Sequence, residues 1–141
     1  MKEEKFKRGI KKILGEKGKF QDWGGEKNDL YTTRVKIDGK RVATAFAFKG
    51  PGKRGKLTPK MMGKNGDQIQ RLFASGAADV YVLQYWAQID ESVVEQMKAL
   101  ATARSATERK KIRYGVIDGI DSARIIKAYP RAFRQIGKSR C

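Results

Sequence analysis

The 141 residues carry 32 lysines and arginines against 15 aspartates and glutamates, a formal charge of +17. With no histidine and a single cysteine, His-based catalytic triads, thiolate zinc sites and histidine-dependent deaminases are excluded. What remains, if the chain is an enzyme, is chemistry built from carboxylates, lysines and a hard cation such as Mg²⁺, in a chain whose charge points to a polyanion partner, nucleic acid before membrane.

Taken in order, residues 3–14 place Phe6, Ile10, Ile13 and Leu14 at helical spacing with lysines opposite, and Gly15 and Gly18 follow as stop signals. This predicts an amphipathic helix. Residues 16–25 read as a polar, glycine-rich loop anchored by Trp23. Leu30 to Ile37 and Lys40 to Lys49 are rich in Val, Thr, Phe and Tyr, and Asp38-Gly39 between them is a strong hairpin signal. Residues 50–66 set Lys53, Arg54, Lys56, Lys60 and Lys64 among glycines and prolines, which predicts a basic loop with one turn around Pro59–Met62.

A helix is expected from Asp67 to near Gly76, with Ile69, Leu72 and Phe73 on one face. Asp79 to Trp86 is a nearly unbroken apolar and aromatic run, the pattern of a strand buried on both faces. Asp90 is placed to cap a helix over 91–103. Arg104 to Lys111 reads as a basic connector that either extends a phosphate-binding surface or is simply solvated. Ile112 to Ile117 reads as a strand, and Ser122 to Tyr129 as a helix capped by Asp121 and stopped by Pro130.

Strands alternating with helices after an opening hairpin predict an α/β fold, a mixed sheet with helices on both faces. The length suits one domain over 1–141. No secretory leader and no apolar run near ~18 residues is present, so a cytoplasmic location is expected.

The hairpin also acts as a ruler. A two-residue Asp38-Gly39 turn pairs Ile37 with Lys40 and brings Asp29 level with Phe48, next to Lys49. Regular pairing would put Asp29 on the Phe48 face of the sheet, whereas a three-residue turn or one bulge would turn it to face Lys49. A carboxylate and a lysine meeting at a strand end beside a basic loop suit a divalent ion held against a phosphate.

These residues resemble the PD-(D/E)XK nuclease superfamily, in particular its Holliday-junction-resolvase-like and restriction-endonuclease-like branches. Asp29 is similar to the first motif acid, Phe48-Lys49 to the end of the (D/E)XK strand, and Gln68-Ile69-Gln70-Arg71-Leu72 to the Q-x-x-x-L helix that follows it. The resemblance implies an αβββαβ core over about residues 3–86, a helix-strand-helix extension over about 87–133 and a basic tail from 134 to 141. It further implies phosphodiester hydrolysis with Mg²⁺ or Mn²⁺, DNA ahead of RNA as substrate, and a homodimer. Asp29, Glu26 and the Phe48 backbone carbonyl would be the metal ligands, and Lys49 and Gln68 would complete the catalytic set.

One departure matters, because the middle acid of the motif falls at Ala47. Three explanations stand: Glu26 or Gln68 supplies the missing group, the chain is a binding-only relative within a larger assembly, or Ala47 is an inactivating replacement. Lys53, Arg54, Lys56, Lys60, Lys64 and Arg71 are expected to contact phosphates, giving a salt slope of about −0.9 per neutralised phosphate on duplex DNA. Neither a membrane nor a small-molecule cofactor is expected as a partner. A ribosome-type RNA binder would fit the charge and leave the acidic stretch before Leu30 unexplained.

Overall fold

A computed structural model of the chain describes residues 3–17, 29–49, 55–61, 68–74 and 78–134. Helix α1 (Glu3–Leu14) comes first, followed by the hairpin strands β1 (Asp29–Ile37) and β2 (Lys40–Phe48). Asp38 and Gly39 take φ of 52° and 79°, the paired positive values of a type I′ turn whose twist matches that of the strands. A 3₁₀ turn (Pro59–Met61) and helix α2 (Gln68–Ala74) lead to β3 (Val80–Gln84). Then come α3 (Glu91–Glu108), β4 (Arg113–Ile117), α4 (Gly119–Ala128) and a second 3₁₀ turn (Pro130–Phe133).

The four strands form one sheet in the order β1-β2-β3-β4, antiparallel between β1 and β2 and parallel thereafter. Side chains of β2 alternate between two cores, as the pleat requires. Ala45 and Ala47 pack with Ile69 and Phe73 of α2 and with Val93, Met97 and Ala101 of α3. Phe46 and Phe48 pack on the other face with Phe6 and Ile10 of α1, and Ile125, Ile126 and Phe133 close over that side. The protein is therefore α/β, a mixed sheet between two helical layers. Among the described residues two strands precede α2.

Two helix boundaries differ from the sequence reading by three residues or more. The segment 104–108 is helical: α3 runs on to Glu108 and ends where Arg109 turns left-handed at φ 54°. Arg104 is held on the helix by two partners distant in sequence, its guanidinium donating to the Tyr81 hydroxyl and the Phe73 carbonyl, and by Glu108 one turn on, to which it also donates. Helix α4 begins at Gly119, and its cap is Asp118, whose carboxylate accepts the Asp121 N–H at 2.9 Å. A β-carbon at position 119 would come within 2.6 Å of the Trp86 carbonyl oxygen, so glycine there permits a close approach of the α4 start to the β3 exit.

Candidate active site at the carboxyl edge of the sheet

Parallel strands β2, β3 and β4 all end at one edge of the sheet, and β1, running the other way, begins there. Crevices outside the carboxyl ends of parallel strands are where open α/β sheets bind ligands. Asp29 opens β1 at this edge, and Lys49 follows β2 directly.

The hairpin register settles how those two positions relate. Ile37 pairs with Lys40, Lys36 with Arg41 and Val35 with Val42, as the turn dictates. The register then slips, and Thr32 pairs with Thr44, Tyr31 with Ala45, Leu30 with Phe46 and Asp29 with Ala47. Thr33 and Arg34 thus oppose the single residue Ala43, which is a β-bulge in β1. Asp29 therefore lies level with Ala47, and not with Phe48 as unbulged pairing would have it. The bulge is held by its own bonds: the Arg34 N–H donates to Thr32 Oγ1 at 3.1 Å, and Arg41 Nε donates to the Thr33 carbonyl at 2.9 Å.

The slip changes which face position 29 occupies. Asp29 and Tyr31 now share the face of Ala45 and Ala47, under α2 and α3, and two residues beyond Ala47 on that same face is position 49. Had the ladder stayed regular, position 29 would have fallen on the Phe48 face with α1. The structure describes the backbone of Asp29 and Gln68 and not their side chains. Glu26, Lys53, Arg54, Lys64 and Trp23 lie outside the described residues.

The Lys49 N–H donates to the Gln84 carbonyl at 3.0 Å, which directs the amide groups of residue 49 toward β3. Amide groups alternate along a strand, so the Phe48 carbonyl is directed to the β1 side, at the end where Asp29 begins. Lys49 itself is half-buried. Helix α2 returns the chain to the start of β3, where Phe73 stacks on Tyr81 with ring centroids 4.3 Å apart. Gln68, at the opposite end of α2, accordingly stands toward the carboxyl edge, beside the buried Ile69.

Within the expected basic loop, the stretch from Gly55 to Leu57 is strapped to the β3 exit. Leu57 forms an isolated parallel bridge with Ile89, and Tyr85 donates its hydroxyl to the Gly55 carbonyl at 2.8 Å. Burial raises the Tyr85 pKa, which keeps that hydroxyl a donor. Lys56 Nζ lies 3.3 Å from Asp90, so part of its charge is answered within the chain. The bonds from the Ser92 hydroxyl and N–H, with Lys56 beside them, hold the Asp90 carboxyl below its ordinary pKa. Lys60 is exposed on its 3₁₀ turn, and Arg71 is on the exposed side of α2. Arg104, in contrast, is committed to Tyr81, Phe73 and Glu108 and does not extend a phosphate-binding surface.

Ala47 is 1% exposed and belongs to the apolar core under α2 and α3. Among the described residues no group of three or more His, Cys, Asp or Glu is assembled. A carboxylate that the sequence reading did not single out, Asp118, stands at the same edge. Tyr85 donates its backbone N–H to the Ile117 carbonyl at 2.9 Å, so positions 49, 85 and 118 follow one another across three strands. Its place directly after a strand and before a helix is the signal that would have found it. Its carboxylate is occupied as the α4 cap.

Comparison with protein-family models, with curated proteins and with solved structures gives no match for this chain.

Proposed function

We propose that this chain is a Mg²⁺-dependent DNA endonuclease built on a PD-(D/E)XK-like core, hydrolysing phosphodiester bonds in a structure-specific or restriction-like manner. The observation that carries the reading is the bulge after Thr32, which sets the Asp29 and Lys49 positions on one face at the carboxyl edge of the sheet. An oxygen-only donor set of Asp29, Glu26 and the Phe48 carbonyl suits a hard cation, Mg²⁺ or Mn²⁺. The direction of the Phe48 carbonyl, toward the start of β1, fits that assignment. When bound, the ion supplies charge neutralisation at the phosphate and an acidified water.

The chain's own groups would divide the remaining work. Lys49 places a fixed positive charge where the pentacoordinate phosphate gathers negative charge, a contribution worth about 10²–10³ in rate for one such donor. Gln68 orients the attacking water from the α2 side. Lys53, Arg54, Lys60, Lys64 and Arg71, with Lys56 as far as Asp90 leaves it free, hold flanking phosphates and set the register of the duplex. Cutting both strands of a duplex calls for two such sites, and a homodimer would supply them.

Nicking of supercoiled plasmid tests the proposal. The wild-type chain is expected to nick in Mg²⁺ and not in EDTA, and Asp29→Ala is expected to abolish nicking while leaving binding of the plasmid in place. Nicking that persists in EDTA, or that Asp29→Ala leaves unchanged, refutes the assignment.

A second reading, a catalytically inactive nucleic-acid-binding module of the same fold, is favoured by one observation. Position 47 is filled by an apolar side chain at 1% exposure, with no room for an acid without repacking. It predicts tight, salt-sensitive binding with no nicking under any divalent ion.

A further inference from the structure

On the face of the molecule away from α2 and α3, the end of α1 and the turn after α4 enclose an open cleft of about 620 Å³. Lys12 and Ile13 form one wall, and Tyr129, Pro130, Arg131 and Ala132 form much of the other. The turn that makes this second wall is fixed in place. Phe133 seats its ring on Gly9 of α1, so closely that a β-carbon at position 9 would fall 2.1 Å from the Phe133 ring, and the ring lies 5.3 Å from that of Phe6. One wall of the cleft is thus packed onto α1 through Phe133.

Its chemistry is one-sided. Arg8 and Lys12 stand one turn apart on the exposed side of α1, and Lys127 and Arg131 flank the other wall, all exposed. None of these four has a carboxylate partner among the described residues. From Ser122 to Arg134 the chain contains no acid. Lys12 and Lys127 lie in the last turns of their helices, where cations offset the helix dipole. That role does not explain Arg131, which lies beyond α4, nor does it explain Tyr129. Tyr129 lines the cleft and keeps 51% of its surface exposed, so its ring is accessible to a flat partner.

We propose that this cleft is a second nucleic-acid site, which takes an unpaired nucleotide segment by stacking a base on Tyr129 while Lys12 and Arg131 hold the phosphates on either side of it. An aromatic platform inside a cationic groove is what single strands recognise, because every base offers a π face once it leaves the duplex stack. A duplex, whose bases are already stacked, offers nothing to Tyr129 and contacts only the cations. The site lies on the opposite side of the sheet from Asp29 and Lys49. It rests on the reading of the chain as a nucleic-acid protein but not on its cleaving anything.

The test is fluorescence anisotropy in EDTA with a labelled oligothymidylate of about twelve nucleotides, beside a duplex of the same length, using the full chain. Tyr129→Ala is expected to weaken single-strand binding by roughly tenfold, the share of one stacked base, with duplex binding little changed. Tyr129→Phe, which keeps the ring, should bind like wild type, and Lys12→Ala with Arg131→Ala should weaken both ligands. Equal affinity for wild type and Tyr129→Ala, an equal loss on single strand and duplex, or no binding of the oligothymidylate by wild type each overturns the proposal. Asp29→Ala should bind the oligothymidylate normally. A preparation that never nicks plasmid but shows the Tyr129 dependence refutes the nuclease reading and leaves the cleft standing.

Discussion

Thr32 is 1% exposed and accepts the Arg34 N–H on its hydroxyl, and this local bond lets two residues of β1 oppose one of β2. A β-bulge needs such a substitute acceptor or donor, because the extra residue is out of the ladder. Thr32→Val keeps the shape and removes the acceptor. The Arg34 N–H belongs to an exposed residue, so losing its partner should cost less than the about 1–3 kcal/mol of a fully buried group, and the hairpin can also relieve the loss by straightening, which would move position 29 to the Phe48 face. Thr32→Val should therefore lose plasmid nicking out of proportion to its loss of stability in urea, and Thr32→Ser should keep both. A Thr32→Val chain that is destabilised yet nicks at the wild-type rate would show that the bulge does not place the site.

At the scale of the elements, the docking of α1 and the capping of α3 each make a prediction whose sign is set by a neighbour. Glycine inside a helix ordinarily costs about 0.5–1 kcal/mol relative to alanine, so Gly9→Ala taken alone should stabilise α1. Against the Phe133 ring, with 2.1 Å available, it should instead destabilise by about 1–3 kcal/mol. Pairing it with Phe133→Ala should relieve that clash, and a stabilised single Gly9→Ala variant in urea would contradict the packing. For α3, Asp90 has its pKa lowered by its bonds with Ser92 and then by Lys56, and Glu108 has its pKa lowered first by its bond with Arg104. Carboxyls with depressed folded pKa values contribute stability above their unfolded pKa, near 4, and lose it as pH falls through the folded value. The thermal midpoint should hold level from neutrality to about pH 5 and decline below it. Asp90→Asn, which still caps the helix, should decline less steeply, and parallel curves for the two chains would remove Asp90 from the account.

These elements were unequally legible in the sequence. The spacing of Phe6, Ile10 and Ile13, the Asp38-Gly39 turn and the apolar run through Tyr81 and Leu83 are local patterns, and each element they predict is present. The end of α3 was hidden because the groups that hold Arg104, Tyr81 and the Phe73 carbonyl, are 23 and 31 residues away. Gly119 reads as a helix breaker until the Trp86 carbonyl is seen beside it. The bulge has no glycine to announce it. The level of Asp29 was consequently misjudged by one residue, and the bulge, expected to turn it to face Lys49, sets it opposite Ala47 instead, two positions short of Lys49. The cleft joins Lys12 to Arg131, residues at opposite ends of the chain, and no periodicity could show that.

For the whole molecule, a charge of +17 would make affinity for nucleic acid the easy half of the proposed function, since phosphate neutralisation alone gives salt-dependent binding to any sequence. On the nuclease proposal, what would separate an enzyme from a basic binder is cooperation between Asp29 and Lys49 across the carboxyl edge. Groups that act as a unit in one transition state are grossly non-additive when removed. The decisive measurement is therefore a double-mutant cycle on the rate of Mg²⁺-dependent plasmid nicking with Asp29→Ala, Lys49→Ala and the two combined. The account predicts that each single change removes nearly all of the rate and that the pair loses little more than either one. Losses that multiply, or a Lys49→Ala chain as active as wild type, would contradict it.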